Sequence, residues 1–223
     1  MTHNIIIAID GPAASGKGTL SRKIGETLNF AVLDTGLLYR ATALLVMQNN
    51  DDLDDADAAI TAAETLKNTI DSGILNSPDL RGEGVAVGAS KVSAVPQVRQ
   101  ILLDLQRNFA RVPPNKKKGA VLDGRDIGTI VCPDADFKFF VTATPEVRAE
   151  RRARERHGED WQNHYDRMLS QTIDRDTRDS QRKIAPLKPA KDAVILDTTK
   201  MDIETVYEKA MAIISQRLTE ETS

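Results

Sequence analysis

The sequence predicts an α/β fold, a five-stranded parallel sheet flanked by helices, on three observations. Five short apolar runs, Ile5–Ile9, Phe30–Leu33, Ala120–Leu122, Phe137–Val141 and Ala193–Leu196, have the length of buried strands. Helical patterns separate them, and strands that alternate with helices build a parallel sheet covered on both faces. Four runs are followed within a residue or two by an aspartate: Asp10, Asp34, Asp123 and Asp197. Ligands of such folds bind beyond the C-terminal ends of the strands, where these carboxylates would stand.

The first run leads directly into Gly11-Pro12-Ala13-Ala14-Ser15-Gly16-Lys17-Gly18-Thr19, and a helical stretch with Leu20, Ile24 and Leu28 follows. A glycine-rich loop between strand and helix is a phosphate cradle. Gly11 and Gly16 let backbone N–H groups turn inward, Lys17 reaches terminal phosphates, and the helix offers its positive N-terminus. All nine residues are candidates for holding ATP, with Lys17 catalytic. The position after the lysine usually carries the hydroxyl that meets Mg²⁺. Here it is Gly18, and Thr19 follows. The plain alternative is a glycine-rich turn with a surface lysine, which the strand before and the helix after disfavour. A dinucleotide-binding turn is excluded because Ser21 stands where its third glycine would.

Composition narrows the class. The 223 residues suffice for one large domain or a domain with insertions, and 40% hydrophobic with 28% charged residues is ordinary for a globular chain. A net charge of −3 argues against nucleic acid as a partner, while local clusters of basic residues suit a small polyanion. The lone Cys132 forms no internal disulfide and fits a reducing cytoplasm. No stretch of 18 apolar residues occurs, and the N-terminus enters a strand almost at once. Neither a signal peptide nor a membrane span is expected, and a cytoplasmic location is the expectation.

The stretch Asp51–Ser93 opens with acids and continues in weakly patterned Ala, Thr, Gly and Ser. It is too long for a loop and predicts an inserted subdomain with helices of its own. Helical pattern resumes at Val98, Ile101, Leu102, Leu105 and Phe109, with Pro96 near its start. Pro113-Pro114-Asn115 and Lys116-Lys117-Lys118 form a solvated turn. The final helix, Ile203–Leu218, carries an apolar stripe (Val206, Ala210, Ile213, Ile214) and is expected to serve packing only. His3, His157 and His164 have no metal-ligand spacing.

Three segments extend the site. Asp34-Thr35-Gly36-Leu37-Leu38-Tyr39-Arg40 follows the second strand. Thr35 can cap the next helix, with Tyr39 and Arg40 in its first turns; the bland alternative is a connection with a surface arginine. Asp123-Gly124-Arg125-Asp126 follows the third strand, where an aspartate near a phosphate loop serves Mg²⁺ and its waters. Arg125 would then sit near phosphate, and Asp126 could accept hydrogen bonds. The helix Trp161–Arg182 has Trp161, Tyr165, Met168, Thr172, Arg175, Asp179 and Arg182 on one face at about 100° per residue. That stripe changes from apolar to charged, and buried charges need partners or a ligand; a solvated Arg/Asp ladder is the alternative. The helix before it, from Pro145 to Arg156, is rich in arginine and ends in the polar hinge His157-Gly158-Glu159-Asp160. It is either an exposed charged helix or a lid that closes Arg148, Arg152 and Arg156 over a transferring phosphate.

Taken together, GPAASGKGTL, LDTGLLYR, ASKVSAVPQVR, LDGRDIGT, VTATPEVRAERR, DRDTRDSQR and APLKPAKDAVILDT resemble the bacterial cytidylate kinases, the CMP/dCMP kinases of the nucleoside monophosphate kinase group, over nearly the whole chain. The resemblance implies a P-loop kinase fold with monophosphate-binding and lid subdomains. It implies transfer of the ATP γ-phosphoryl group to CMP or dCMP in pyrimidine nucleotide metabolism, with Mg²⁺ brought by ATP and met by Thr19 and Asp123 mainly through water. It also implies that Ser90, Arg99 and Asp126 contact cytosine, that Arg40 and Arg125 hold the acceptor phosphate, and that Arg175 and Asp179 hold the sugar with Arg182 nearby. Thr35, Tyr39 and Gly124 join the acceptor side, and Lys17, Arg125 and Asp123 form the catalytic group. One domain is expected over residues 1–223. Its core covers about 1–38, 95–147 and 183–223, its monophosphate-binding insert about 39–94, and its lid about 148–162, leading into helix 161–182. The protein is expected to be a monomer whose partners are ATP and CMP or dCMP, with no nucleic acid and no membrane. One departure stands out: many relatives carry a longer, strand-rich insert, whereas Asn68–Ala89 is short and lacks strand alternation.

Two rivals remain at this level. One is a kinase of another small acceptor, such as UMP, AMP or shikimate, separated by an acceptor panel. The other is a nucleotide-binding protein without catalysis, against which the arginine-rich acceptor half argues.

Overall fold

The computed structural model describes residues 4–70 and 73–220; His3 lies outside them. In chain order the elements are β1 (Ile5–Asp10), α1 (Lys17–Leu28), β2 (Ala31–Asp34), α2 (Gly36–Gln48), α3 (Ala56–Thr69), α4 (Glu83–Val92) and α5 (Pro96–Arg111). Then follow β3 (Gly119–Gly124), β4 (Phe137–Thr142), α6 (Pro145–His157), α7 (Trp161–Ser180), β5 (Val194–Asp197) and α8 (Ile203–Glu220). The chain forms two compact units, one running up to Val32 and again from Ala110 onward, the other spanning Leu33–Phe109.

The first unit is built on the sheet. Its strand order is β2-β3-β1-β4-β5. β1 pairs in parallel with β3, placing Ile9 beside Asp123, and with β4, placing Ile9 beside Phe139. β4 pairs in parallel with β5, Val141 beside Leu196. The central strands are apolar because both faces are covered. Ile7, Ile9, Val121, Phe137, Phe139 and Val141 pack with Leu20 and Ile24 of α1 and with Val206, Ala210 and Ile214 of α8. β5, expected as a buried strand, buries only Leu196, and Ile195 is 52% exposed. It ends the strand order, so it lacks a second neighbour and full cover.

Gly11 is required where β1 ends. A Cβ there would stand 2.0 Å from the Val141 carbonyl oxygen, an immovable backbone atom, and the residue has φ +153°. Gly25 similarly makes room for Val32, whose Cγ2 lies 2.1 Å from an ideal Cβ.

The second unit holds the expected insert over 39–94 and reaches further on both sides. Leu38, Tyr39, Leu44, Leu66, Leu80, Val92, Val98 and Leu102 form its core, so α2 and most of α5 belong with α3 and α4. The acidic opening of the insert has a local use: Asp55 is the N-cap of α3 and accepts the N–H groups of Asp57 and Ala58. Between α3 and α4 the described residues form short 3₁₀ turns at Ile74–Asn76 and Pro78–Arg81, with no strand.

Candidate active site

The residues at positions 11–18 close into a loop through left-handed backbone at Ala14 (φ 59°) and Gly16 (φ 92°), a geometry that turns successive N–H groups to one side. Gly16 caps α1 without a side chain, and no acidic residue occupies the first turn. The helix N-terminus therefore keeps its donors for an anion. Ser15 Oγ is buried and makes no hydrogen bond among the described residues, so it too retains a donor. Lys17 Nζ lies 3.5 Å from the Pro12 carbonyl oxygen and 3.6 Å from Asp123 Oδ1.

Gly18 explains the unusual residue after the lysine. A Cβ on it would stand 3.1 Å from Asp123 Oδ2, closer than ordinary contact. The missing side chain is what lets the buried Asp123 carboxylate approach the start of α1.

A cavity of about 490 Å³ opens over this loop. Its walls include Lys17 and Thr19, then Arg22, Arg151 and Thr198, and an apolar end of Met201, Ile203 and Val206. Sequence reasoning missed Arg151 and Thr198. Thr198 Oγ1 donates to the Ser15 carbonyl at 3.0 Å, and Arg151 donates to Thr198 Oγ1 and to its carbonyl at 2.8 and 2.7 Å. The available signal was the fourth strand-end aspartate, Asp197, whose successor is Thr198. The first turn of α8 also lines the cavity, so that helix does more than pack.

Three carboxylates gather where β1 and β3 end. Asp10, Asp123 and Asp126 are all buried. Asp10 accepts the N–H groups of Ile127 and Gly128 at 2.7 and 2.8 Å and so fixes the turn that follows Asp126. Burial pushes the Asp10 carboxyl up to about 7; its two backbone hydrogen bonds oppose the rise, and the charges of Asp126 and Asp123 add to it.

The face change along α7 has a structural counterpart. Met168 packs with Ala149 and Ala153 of α6 at the apolar end. At the other end Asp179, 1% exposed, receives Arg125 Nε at 3.1 Å and Arg182 Nη2, with Arg175 Nε 3.8 Å away. Burial pushes the Asp179 carboxyl up, but the charges of Arg125, Arg182 and Arg175 outweigh it and hold it below the usual carboxylate range. α7 stops at Ser180, two residues short of the expected end, and Arg182 reaches back from beyond the helix. Arg125 also donates to the Gly124 carbonyl at 3.1 Å, which sets its direction.

In the second unit, Arg40 donates to the Leu80 carbonyl at 2.7 Å. Arg99 lies 5.5 Å from the centre of the Tyr39 ring and donates to the Ser93 carbonyl at 3.3 Å. Ser90 is buried on α4. Thr35 occupies the N-cap position of α2 but makes no capping hydrogen bond; Asp34 Oδ1 instead accepts the Gly36 N–H at 2.9 Å. Thr35 has φ −65° and ψ −19°, already helical, which removes the extended geometry a capping side chain uses.

Arg148 departs from the expected lid role. It is 2% exposed and hydrogen-bonded through all three guanidinium nitrogens inside the first unit, because it lies in the first turn of α6, where the side chain points inward. Arg152 and Arg156 lie further along the same helix and are partly exposed. At the hinge, the rings of His157 and His164 stack 3.6 Å apart, and His164 meets Asp160 at 3.1 Å.

No helix among the described residues is long and apolar enough to cross a membrane, and no group of three His, Cys, Asp or Glu is placed to hold a metal ion. The family model for cytidylate kinase matches residues 7–216. The chain is 51% identical to a cytidylate kinase of Methylocella silvestris over 94% of each chain. It is 49% identical to that of Rhodospirillum rubrum over 96% of this chain and 98% of the relative. Among solved structures, an uncharacterized protein from Eubacterium ventriosum shares the fold at a TM-score of 0.51 and 16% identity, covering 95% of this chain and 98% of that one. With a phosphate loop, a strand-end aspartate and an arginine-gripped Asp179 in the positions described, and a match over nearly its full length, the chain belongs to the cytidylate kinase family.

Proposed function

We propose that the protein transfers the γ-phosphoryl group of ATP to the 5′-phosphate of CMP or dCMP, giving ADP and CDP or dCDP. The observation that carries this reading is the run of charges from Lys17 through Asp123 to Arg125 and Asp179. Lys17 stands 3.6 Å from Asp123, and two residues on, Arg125 joins the cluster on Asp179. A protein that merely binds ATP needs the first half of that run and not the second.

In this reading the triphosphate lies on the amides of residues 11–17, with Ser15 Oγ and Lys17 donating to its oxygens. The base lies against Met201, Ile203 and Val206. Arg40 and Arg125 take the acceptor phosphate, Ser90, Arg99 and Asp126 the cytosine, and Arg175, Asp179 and Arg182 the sugar. Thr35, Tyr39 and Gly124 support the acceptor side, and Arg152 and Arg156 close from α6. Mg²⁺ fits as a companion of ATP, since the buried carboxylates of Asp10, Asp123 and Asp126 gather beside the loop. Thr19 and Asp123 would meet it mainly through water, and its chemistry is to neutralise phosphate charge.

The nucleophile is already an anionic phosphate oxygen, so no strong general base is needed. The barrier lies in bringing two polyanions into line, which fixed N–H donors, Lys17 and Arg125 lower by position and charge.

The test is an ADP-release assay with CMP, dCMP, UMP, AMP and shikimate as separate acceptors. Release dependent on CMP or dCMP is expected. Release dominated by another acceptor, or independent of any, overturns the reading.

A further inference from the structure

Arg148 makes four hydrogen bonds to three separate parts of the first unit. Its Nε donates to the Ala143 carbonyl at 2.8 Å, just beyond β4. Its Nη1 donates to the Ala13 carbonyl of the phosphate loop at 3.3 Å and to Asp176 Oδ1 at 3.0 Å. Its Nη2 donates to Asp176 Oδ2. The pair is thus bidentate, the geometry in which Arg and carboxylate hold each other most specifically. Asp176 follows Arg175 on α7 and precedes Asp179 by three residues, almost one turn.

We propose that Arg148, with Asp176, is a positioning residue that ties the phosphate loop to α7, setting the loop carbonyls and the Arg175–Asp179 end of the helix in one frame. The proposal rests on the reading above of the loop as the ATP site and of Asp179 as the sugar site. A buried ion pair offers little net stability over a well-packed apolar pair, so stability alone gives no reason for a bidentate arginine here. A lysine could supply the charge but not the fork that reaches Ala13, Ala143 and Asp176 together. The loop is the element that needs such a tie. It is held in left-handed backbone at Ala14, next to the bonded carbonyl.

The test compares Asp176→Asn, Arg148→Lys and the double variant Arg148→Met/Asp176→Leu with the wild type. Asp176 is partly exposed, so Asp176→Asn keeps the experiment sound even if Arg148 variants fail to fold. Amide exchange at residues 13–16 is measured in the free protein, and affinities for ADP and CMP are measured separately. In Asp176→Asn, exchange at the loop should rise about tenfold, the consequence of losing one charge-assisted hydrogen bond, while β1 is unchanged. Both nucleotide affinities should fall. The double variant should regain thermal stability without regaining affinity. Loop exchange within about twofold of wild type in a folded Asp176→Asn overturns the tie, even if CMP affinity falls, because Asp176 would then act on α7 alone. Asp179→Ala serves as the control for the site reading. If it leaves CMP affinity unchanged while Asp176→Asn still loosens the loop, the sugar assignment fails and the tie stands.

Discussion

Gly18 and Asp123 stand so close that a single methyl group would separate them: an ideal Cβ at residue 18 lies 3.1 Å from Asp123 Oδ2. The carboxylate consequently reaches Lys17 and the start of α1, where a serine or threonine at position 18 would hold it away. Gly18→Ala should lower turnover about tenfold, by displacing a charge that acts at close range, with little change in stability. Steady-state kinetics beside a urea melt checks this. Unaltered turnover would mean that the approach of Asp123 has no catalytic weight.

Lys17→Met removes the cation nearest the loop and keeps the length of the side chain. Turnover should fall by about 10²–10³, the scale of losing one preorganised charged donor. Near-normal turnover in a folded preparation would remove the assignment of the loop to the donor phosphates.

Gly11→Ala places a methyl group 2.0 Å from a backbone oxygen of β4, which has no room to move. Destabilisation on the order of 2–4 kcal/mol is expected, read from the shift in the urea midpoint. A variant as stable as wild type would show that the turn after β1 can rearrange.

Asp179→Ala takes away the acceptor on which Arg125, Arg175 and Arg182 converge. If the carboxylate also accepts a hydrogen bond from the sugar, kinetics for CMP and dCMP should change unequally, by about 1–3 kcal/mol in the ratio of catalytic efficiencies, while ATP affinity barely moves. Equal losses for both, with altered helix content, would indicate an ion-pair ladder instead.

Asp10 gives stability a pH dependence of defined sign. With its folded pKa raised to about 7, it is protonated in the fold and ionised in the unfolded chain between about pH 4 and 7. The folded state then binds the extra proton, so this contribution weakens as pH rises through that window and levels off above it. Asp10→Asn keeps one acceptor for the Ile127 and Gly128 amides and does not titrate. Between pH 5 and 8, without nucleotide or Mg²⁺, the stability of wild type relative to Asp10→Asn should drop by about 2.6 kcal/mol. A difference that does not vary with pH would contradict the raised carboxyl.

The sequence by itself determined whatever depends on local order along the chain. The Ile-rich run before Gly11 specifies a strand and the cradle after it, and the wheel of α7 puts Arg175 and Asp179 on one side, where Arg182 joins them from just beyond the helix end. These are legible because a strand repeats every two residues, a helix every 3.6, and glycine marks turns that other residues cannot take. Tertiary structure decided which side chains leave those patterns. Arg148 reads as one arginine among many in a charged helix, yet the ends of β4, the phosphate loop and α7 converge on it and bury it. Thr198 and Arg151 join the wall of the cavity over the loop because parallel order sets β5 beside β4 and carries its following residues to the loop after β1. Ile195 stays exposed because β5 ends the sheet. In each case the deciding fact is which distant segments of the chain lie beside a residue, and periodicity contains no term for such neighbours.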